Sequence, residues 1–110
     1  MSDSHARVEA AIKAFAKGDL VVVTDDDDRE NEGDLILAAG HATAEKIALF
    51  IRHTSGIVCV PMPRAEARRL RIDPMVADNE ALQGTAFTVS VDFRHGLTSG
   101  ISAEERCNTI

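Results

Sequence analysis

The segment 24–34, TDDDDRENEGD, lies between two apolar runs, LVVV at 20–23 and LILAA at 35–39. Seven of its positions are acidic (Asp25, Asp26, Asp27, Asp28, Glu30, Glu32 and Asp34) and Arg29 is the single base among them. Like charges this close repel and raise the pKa of some carboxylates unless a cation compensates. A run of charge is ordinarily a solvated loop. This one sits between two β-branched or aliphatic runs rather than in a tail. It also carries a fixed cation, an amide at Asn31 and a glycine at Gly33 that permits close backbone approach. These features make it a candidate cation site.

The window accounts for the whole formal net charge of −6, and the rest of the chain is balanced. With no basic stripe, the chain is a poor nucleic-acid binder. An EF-hand is excluded. Gly33 at loop position six would place Asp28, Glu30 and Glu32 at one, three and five, but Ala39 would occupy position twelve, where a bidentate Glu is needed. An open Mg²⁺ site with one or two carboxylates, waters and a substrate fits better.

A chain of 110 residues fits one small domain with a modest core. With four Phe and neither Trp nor Tyr, that core must be aliphatic. Val8, Ala11, Ile12 and Phe15 follow helical spacing between Ser4, a plausible N-cap, and Gly18, a plausible stop. The runs 20–23 and 35–39 read as strands. Thr43 caps a helix with Ile47, Phe50 and Ile51 on one face, ended by Gly56. Residues 57–60 read as a buried strand, and Pro63 opens a short helix over 63–71. Residues 72–84 read as a loop. The run 85–93 alternates, with Phe87, Val89, Val91 and Phe93 on one side. Ser102 and Glu105 match a capping box, so a helix should open there. It has room for only about two turns, against a usual three, so the 110 residues are expected to be the first part of a longer domain. Two distant cysteines, no apolar leader and no membrane-length run point to a reduced, cytoplasmic setting with no membrane partner.

RENEGD at 29–34, RHTSGIVCV at 52–60, GTAFTVSVD at 84–92 and LTSGISAEER at 97–106 together resemble the 3,4-dihydroxy-2-butanone 4-phosphate synthases, in order and over nearly the whole chain. The resemblance implies an α+β, three-layer fold with a mixed sheet covered by helices, and a homodimer. It implies a lyase that converts D-ribulose 5-phosphate to a four-carbon ketone phosphate and formate with Mg²⁺ or Mn²⁺, as a step of riboflavin biosynthesis. It also implies chains about twice this length, whose second half, with a further metal-ligand His, has no match here.

By the same resemblance Glu30 is the metal ligand, and Arg29 and Asp34 contact the sugar phosphate. Glu32 and Asp25 are further ligands or proton carriers, and Thr98 and Thr109 are minor substrate contacts. In an extended backbone Glu30, Glu32 and Asp34 would share one side. Asp26, Asp27 and Asp28 are read as plain loop charges. Cys59 is either a small core residue or a redox-sensitive thiol bordering the substrate, and Cys107 is incidental. His5, His41, His53 and His95 make no metal-ligand spacing. Two functions remain in view: the lyase itself, or a catalytically weak module that binds metal and sugar phosphate.

Overall fold

The computed structural model describes residues 3–80 and 84–110. Helix α1, Asp3–Ala16, leads into strand β1, Val21–Thr24. Gly18 makes the turn between them with φ +97°, and a Cβ there would lie 2.8 Å from the His41 ring. Only glycine combines that conformation with that approach. Strand β2, Gly33–Ile36, pairs antiparallel with β1 in the register Val21 with Ile36 through Thr24 with Gly33. The acidic window is therefore the connection of a hairpin. β2 begins two residues before the expected run and ends at Ile36, three residues short of its expected end, and a 3-10 turn over Ala39–His41 takes in the last residue of that run.

Helix α2, Ala44–His53, is capped as its sequence predicts, with the Thr43 hydroxyl accepting from the Lys46 amide at 3.2 Å. Ile47 on its inner face is 1% exposed and is the buried hydrophobic residue among the described residues. Helix α3, Arg64–Arg69, follows Pro63, which stands just before the first turn rather than in it. Helix α4, Ala103–Thr109, opens at Ser102 and packs against α2. Two long-range hydrogen bonds tie the pieces together. Arg106 donates to the Gly56 carbonyl at 2.6 Å, and Lys46 to the Gly18 carbonyl at 2.6 Å. No helix among the described residues is long and apolar enough to cross a membrane.

The class is α+β, with helices flanking a small antiparallel sheet of two strands. Two expected strands do not form. Residues 57–60 take no regular secondary structure, with Ile57 77% exposed. The 85–93 run makes a single bridge, Thr88 with Pro74. Alternation tells which side chains share a face, but a strand also needs a neighbour for its amides and carbonyls, and these segments find almost none. The apolar stripe of α1 is likewise turned outward, with Val8 and Ile12 well exposed. Of the expected loop at 72–84, residues 81–83 lie outside the described residues.

Candidate metal and sugar-phosphate site

The acidic window is organised by one carboxylate. Asp25, just after β1, accepts through Oδ1 from the Glu32 amide at 2.9 Å. Its Oδ2 accepts from the Glu30 amide at 2.9 Å and from the Arg29 guanidinium at 3.0 Å. The Asp25 amide in turn donates to the Glu32 carbonyl at 3.3 Å. The Glu32 and Glu30 amides, with the guanidinium, hold the Asp25 carboxyl below its ordinary pKa. Arg29 reaches both ways: it also donates to Glu30 Oε1 at 2.7 Å. Its pKa is raised by the bond to Asp25 and by the charge of Glu30. These ion pairs are exposed to water, so their contribution to stability is small. What they do is set geometry: Asp25, Arg29 and Glu30 form one connected unit.

Glu32 meets that unit through its backbone, and Asp34 lies beyond it on β2. Residues 27–30 form a turn and Asn31 takes φ +53°, so the backbone is not extended from Glu30 to Glu32. The alternation that would place Glu30, Glu32 and Asp34 on one side is broken there. Asp34 lies on β2 opposite Val23, and its backbone is part of the sheet. Asn tolerates the left-handed conformation better than most residues, which explains the amide-bearing residue at this point. Gly33 has an ordinary backbone conformation and space for a Cβ, so its expected role in close approach is not used.

Among the described residues no group of three or more His, Cys, Asp or Glu side chains is arranged to hold a metal ion. The oxygen donors of the loop suit a hard cation such as Mg²⁺ or Mn²⁺. They fit a site with one or two protein carboxylates completed by water and substrate, and they do not fit an all-protein cage.

A second carboxylate hub was not legible as such in the sequence. Glu105 accepts from the Thr98 amide at 2.6 Å, the Thr98 hydroxyl at 3.0 Å, the Gly100 amide at 3.1 Å and the Ser102 hydroxyl at 3.1 Å. The Glu105 amide donates back to Ser102 Oγ at 3.1 Å, completing the cap that the Ser-x-x-Glu spacing announced. Capping boxes explain a bond back to the cap residue. They do not announce that the same carboxylate gathers the whole 98–102 loop. Thr98 therefore serves that loop with both its amide and its hydroxyl. Thr109 is also engaged within the chain: its hydroxyl accepts from the Phe93 amide at 3.0 Å and donates to the Glu105 carbonyl at 3.1 Å.

The Thr98 amide leads the contacts that pull the Glu105 pKa from 4.5 down to about 2, against a partial desolvation that raises it. A depressed carboxylate pKa stabilises the fold above the unfolded value and loses that effect as pH falls through the folded value. The wild-type chain should therefore melt higher than a Glu105→Gln variant above pH 5. The difference should shrink between pH 4.5 and about 2 and vanish below that. Thermal melts of both proteins across this range check it, and a pH-independent gap would refute it.

Cys59 is exposed on the irregular 57–60 segment, so the reading of it as a core residue is overturned. Cys107, on α4, is half-buried. Alkylation should be several-fold faster at Cys59 than at Cys107, because the Cys59 side chain is the more accessible of the two. Mass-resolved labelling with a small maleimide measures this, and equal rates would contradict it.

The model of the 3,4-dihydroxy-2-butanone 4-phosphate synthase family matches residues 9–110. A synthase of that name from Shewanella loihica is 51% identical over 108 residues, which is 98% of this chain and 50% of that enzyme. The riboflavin biosynthesis protein RibBA of Nocardia farcinica is 53% identical over 103 residues, which is 94% of this chain and 25% of that protein. A crystal structure of a 3,4-dihydroxy-2-butanone 4-phosphate synthase in complex with two magnesium ions superposes with a TM-score of 0.89 at 45% identity, over 92% of this chain and 47% of that one. The chain thus spans half or less of the length of these relatives. Matched along nearly all its residues in sequence and in backbone, the chain belongs to the 3,4-dihydroxy-2-butanone 4-phosphate synthase family.

Proposed function

We propose that this chain supplies the acidic, metal-holding part of a 3,4-dihydroxy-2-butanone 4-phosphate synthase site, and that by itself it acts as a divalent-metal and sugar-phosphate binding module with little turnover. The observation that carries the reading is the latched loop: Asp25 fixes Arg29, and Arg29 fixes Glu30. A relative solved with two magnesium ions supports the choice of cation. The 110 residues are read as one part of a single synthase domain. The homodimer implied by the sequence resemblance belongs to the same reading.

Each residue has a role in it. Glu30 offers an anionic oxygen to Mg²⁺ or Mn²⁺. Arg29 neutralises part of the local charge and presents N–H donors suited to a phosphate. Asp34, at the start of β2, is a contact for the sugar phosphate, and Glu32 is the nearby carboxylate able to move a proton. Asp25 holds the loop and acts through Arg29 and Glu30. Thr98 and Thr109 contribute to the substrate side from the loop and helix gathered by Glu105, and Cys59 borders it. The ion, when bound to neighbouring sugar oxygens, makes the adjacent C–H more acidic.

Titrating the chain with Mg²⁺ in a calorimeter at moderate salt tests this. Weak binding is expected, because the site keeps open positions. Glu30→Ala should abolish the heat, and Asp25→Ala should weaken binding by about ten- to a hundredfold, as loss of a ligand's supporting partner does. Identical titrations of wild type and Glu30→Ala would remove Glu30 from the site.

A further inference from the structure

Helix α4 reaches three irregular segments of the chain at once. Arg106 donates to the Gly56 carbonyl, fifty residues away, at 2.6 Å. The Thr109 hydroxyl accepts from the Phe93 amide, sixteen residues away, at 3.0 Å. Glu105 collects the 98–102 loop. The first two contacts, with the packing on α2, fix the helix itself. The Glu105 carboxylate is therefore presented from an anchored element, and the loop takes its place from that carboxylate.

The two carboxylate oxygens have different partners. Oε2 accepts from the Thr98 and Gly100 amides at 2.6 and 3.1 Å. Oε1 accepts from the hydroxyls of Thr98 at 3.0 Å, Ser102 at 3.1 Å and Ser99 at 3.5 Å. One oxygen thus meets amides, which only donate, and the other meets hydroxyls, which can donate or accept. The loop is also closed from its other side. Gly100 takes φ +75°, and a Cβ there would lie 2.9 Å from the Asp92 carboxylate. Two carboxylates so close to a loop that meets an anion oppose that anion by charge alone. What offsets the charge is geometry: a loop already folded when the ligand arrives loses less freedom on binding.

We infer that Glu105 is a positioning residue for sugar-phosphate binding, which acts through Thr98 without touching the ligand and sets the 98–102 loop in its binding conformation beforehand. This rests on the reading that Thr98 serves the substrate side. Charge and geometry then predict opposite signs. Were Glu105 only a nearby negative charge, its removal would tighten the binding of a phosphate. As a positioning residue, its removal loosens it.

The test titrates the chain with D-ribulose 5-phosphate in a calorimeter, at saturating Mg²⁺, neutral pH and a temperature well below the melts. Glu105→Ala should weaken binding by about tenfold or more, as loss of an orienting partner does, and leave the Mg²⁺ titration unchanged. Glu105→Gln, although it melts lower, should recover most of the affinity. Its side-chain carbonyl can accept from the two amides while its NH₂ donates to the hydroxyl oxygens. Hydrogen exchange at the Thr98 and Gly100 amides should be slow in the ligand-free wild type and in Glu105→Gln, and fast in Glu105→Ala. The inference is overturned if those amides exchange freely in the ligand-free wild type, a measurement that needs no variant to fold. It is also overturned if Glu105→Ala binds as tightly as wild type or tighter, or if Glu105→Gln binds as weakly as Glu105→Ala. A wild type that takes up Mg²⁺ but no ribulose 5-phosphate removes the substrate-side reading of Thr98, and the inference falls with it. That result is distinct from a wild type that binds and variants that bind equally.

Discussion

Ile47→Ala should bring this chain close to the limit of stable folding. Removing a buried isoleucine costs about 2–5 kcal/mol through lost transfer energy and the cavity left behind. Small domains hold about 5–15 kcal/mol in total, and with one fully buried hydrophobic residue among the described residues this structure stands at the low end. A thermal scan by circular dichroism should show a broad, early transition for Ile47→Ala. Ile47→Val, which removes one methylene, should cost about 0.5–1.5 kcal/mol and keep a cooperative melt. An Ile47→Ala melt indistinguishable from wild type would mean that α2 and α4 are not held by this residue.

Formate release from ribulose 5-phosphate should be at least about a thousandfold slower for this chain than for a synthase of twice the length, such as the Shewanella loihica relative. Groups that act together in catalysis lose most of their effect when part of the set is missing. The chain covers half of that relative, and its described residues bring no three metal-ligating side chains together. A coupled formate dehydrogenase assay at saturating Mg²⁺ measures the rate. Turnover within tenfold of the relative would show that the acidic loop and the 98–102 loop suffice for the chemistry.

Two helix starts were legible because caps are local, whereas Ser4, expected as a cap, lies inside α1, and α2 ends at His53 rather than at Gly56. Thr43 and Ser102 bond to amides three residues ahead, and both hydroxyl-to-amide bonds are present. The hairpin strands could be read from their apolar runs, with ends offset by one to three residues. The failures share one cause. Alternation in 85–93 and the apolar run 57–60 describe segments suited to a sheet, but pairing also needs a neighbouring strand, which a local pattern does not specify. The candidate site divides the same way. The concentration of charge at 25–34 marked the loop, but the roles within it depend on Asn31, whose left-handed backbone separates Glu30 from Glu32. Glu105 was visible as a capping residue and hidden as a loop organiser, because its partners Thr98 and Gly100 precede the helix by several residues of irregular chain.

The bonds that latch the acidic loop all lie close together along the chain; the longest, from the Glu32 amide to Asp25, spans seven residues. The strands that flank it pair within the same stretch, Val21 with Ile36. Short-range closure of this kind is rapid: hairpins form in about 1–10 μs, and contacts with small sequence separation need little loop entropy to be spent first. The Arg106 bond to Gly56, by contrast, spans fifty residues. The acidic hairpin should therefore be among the earliest structures to appear during refolding, with its charges already arranged before α4 finds α2.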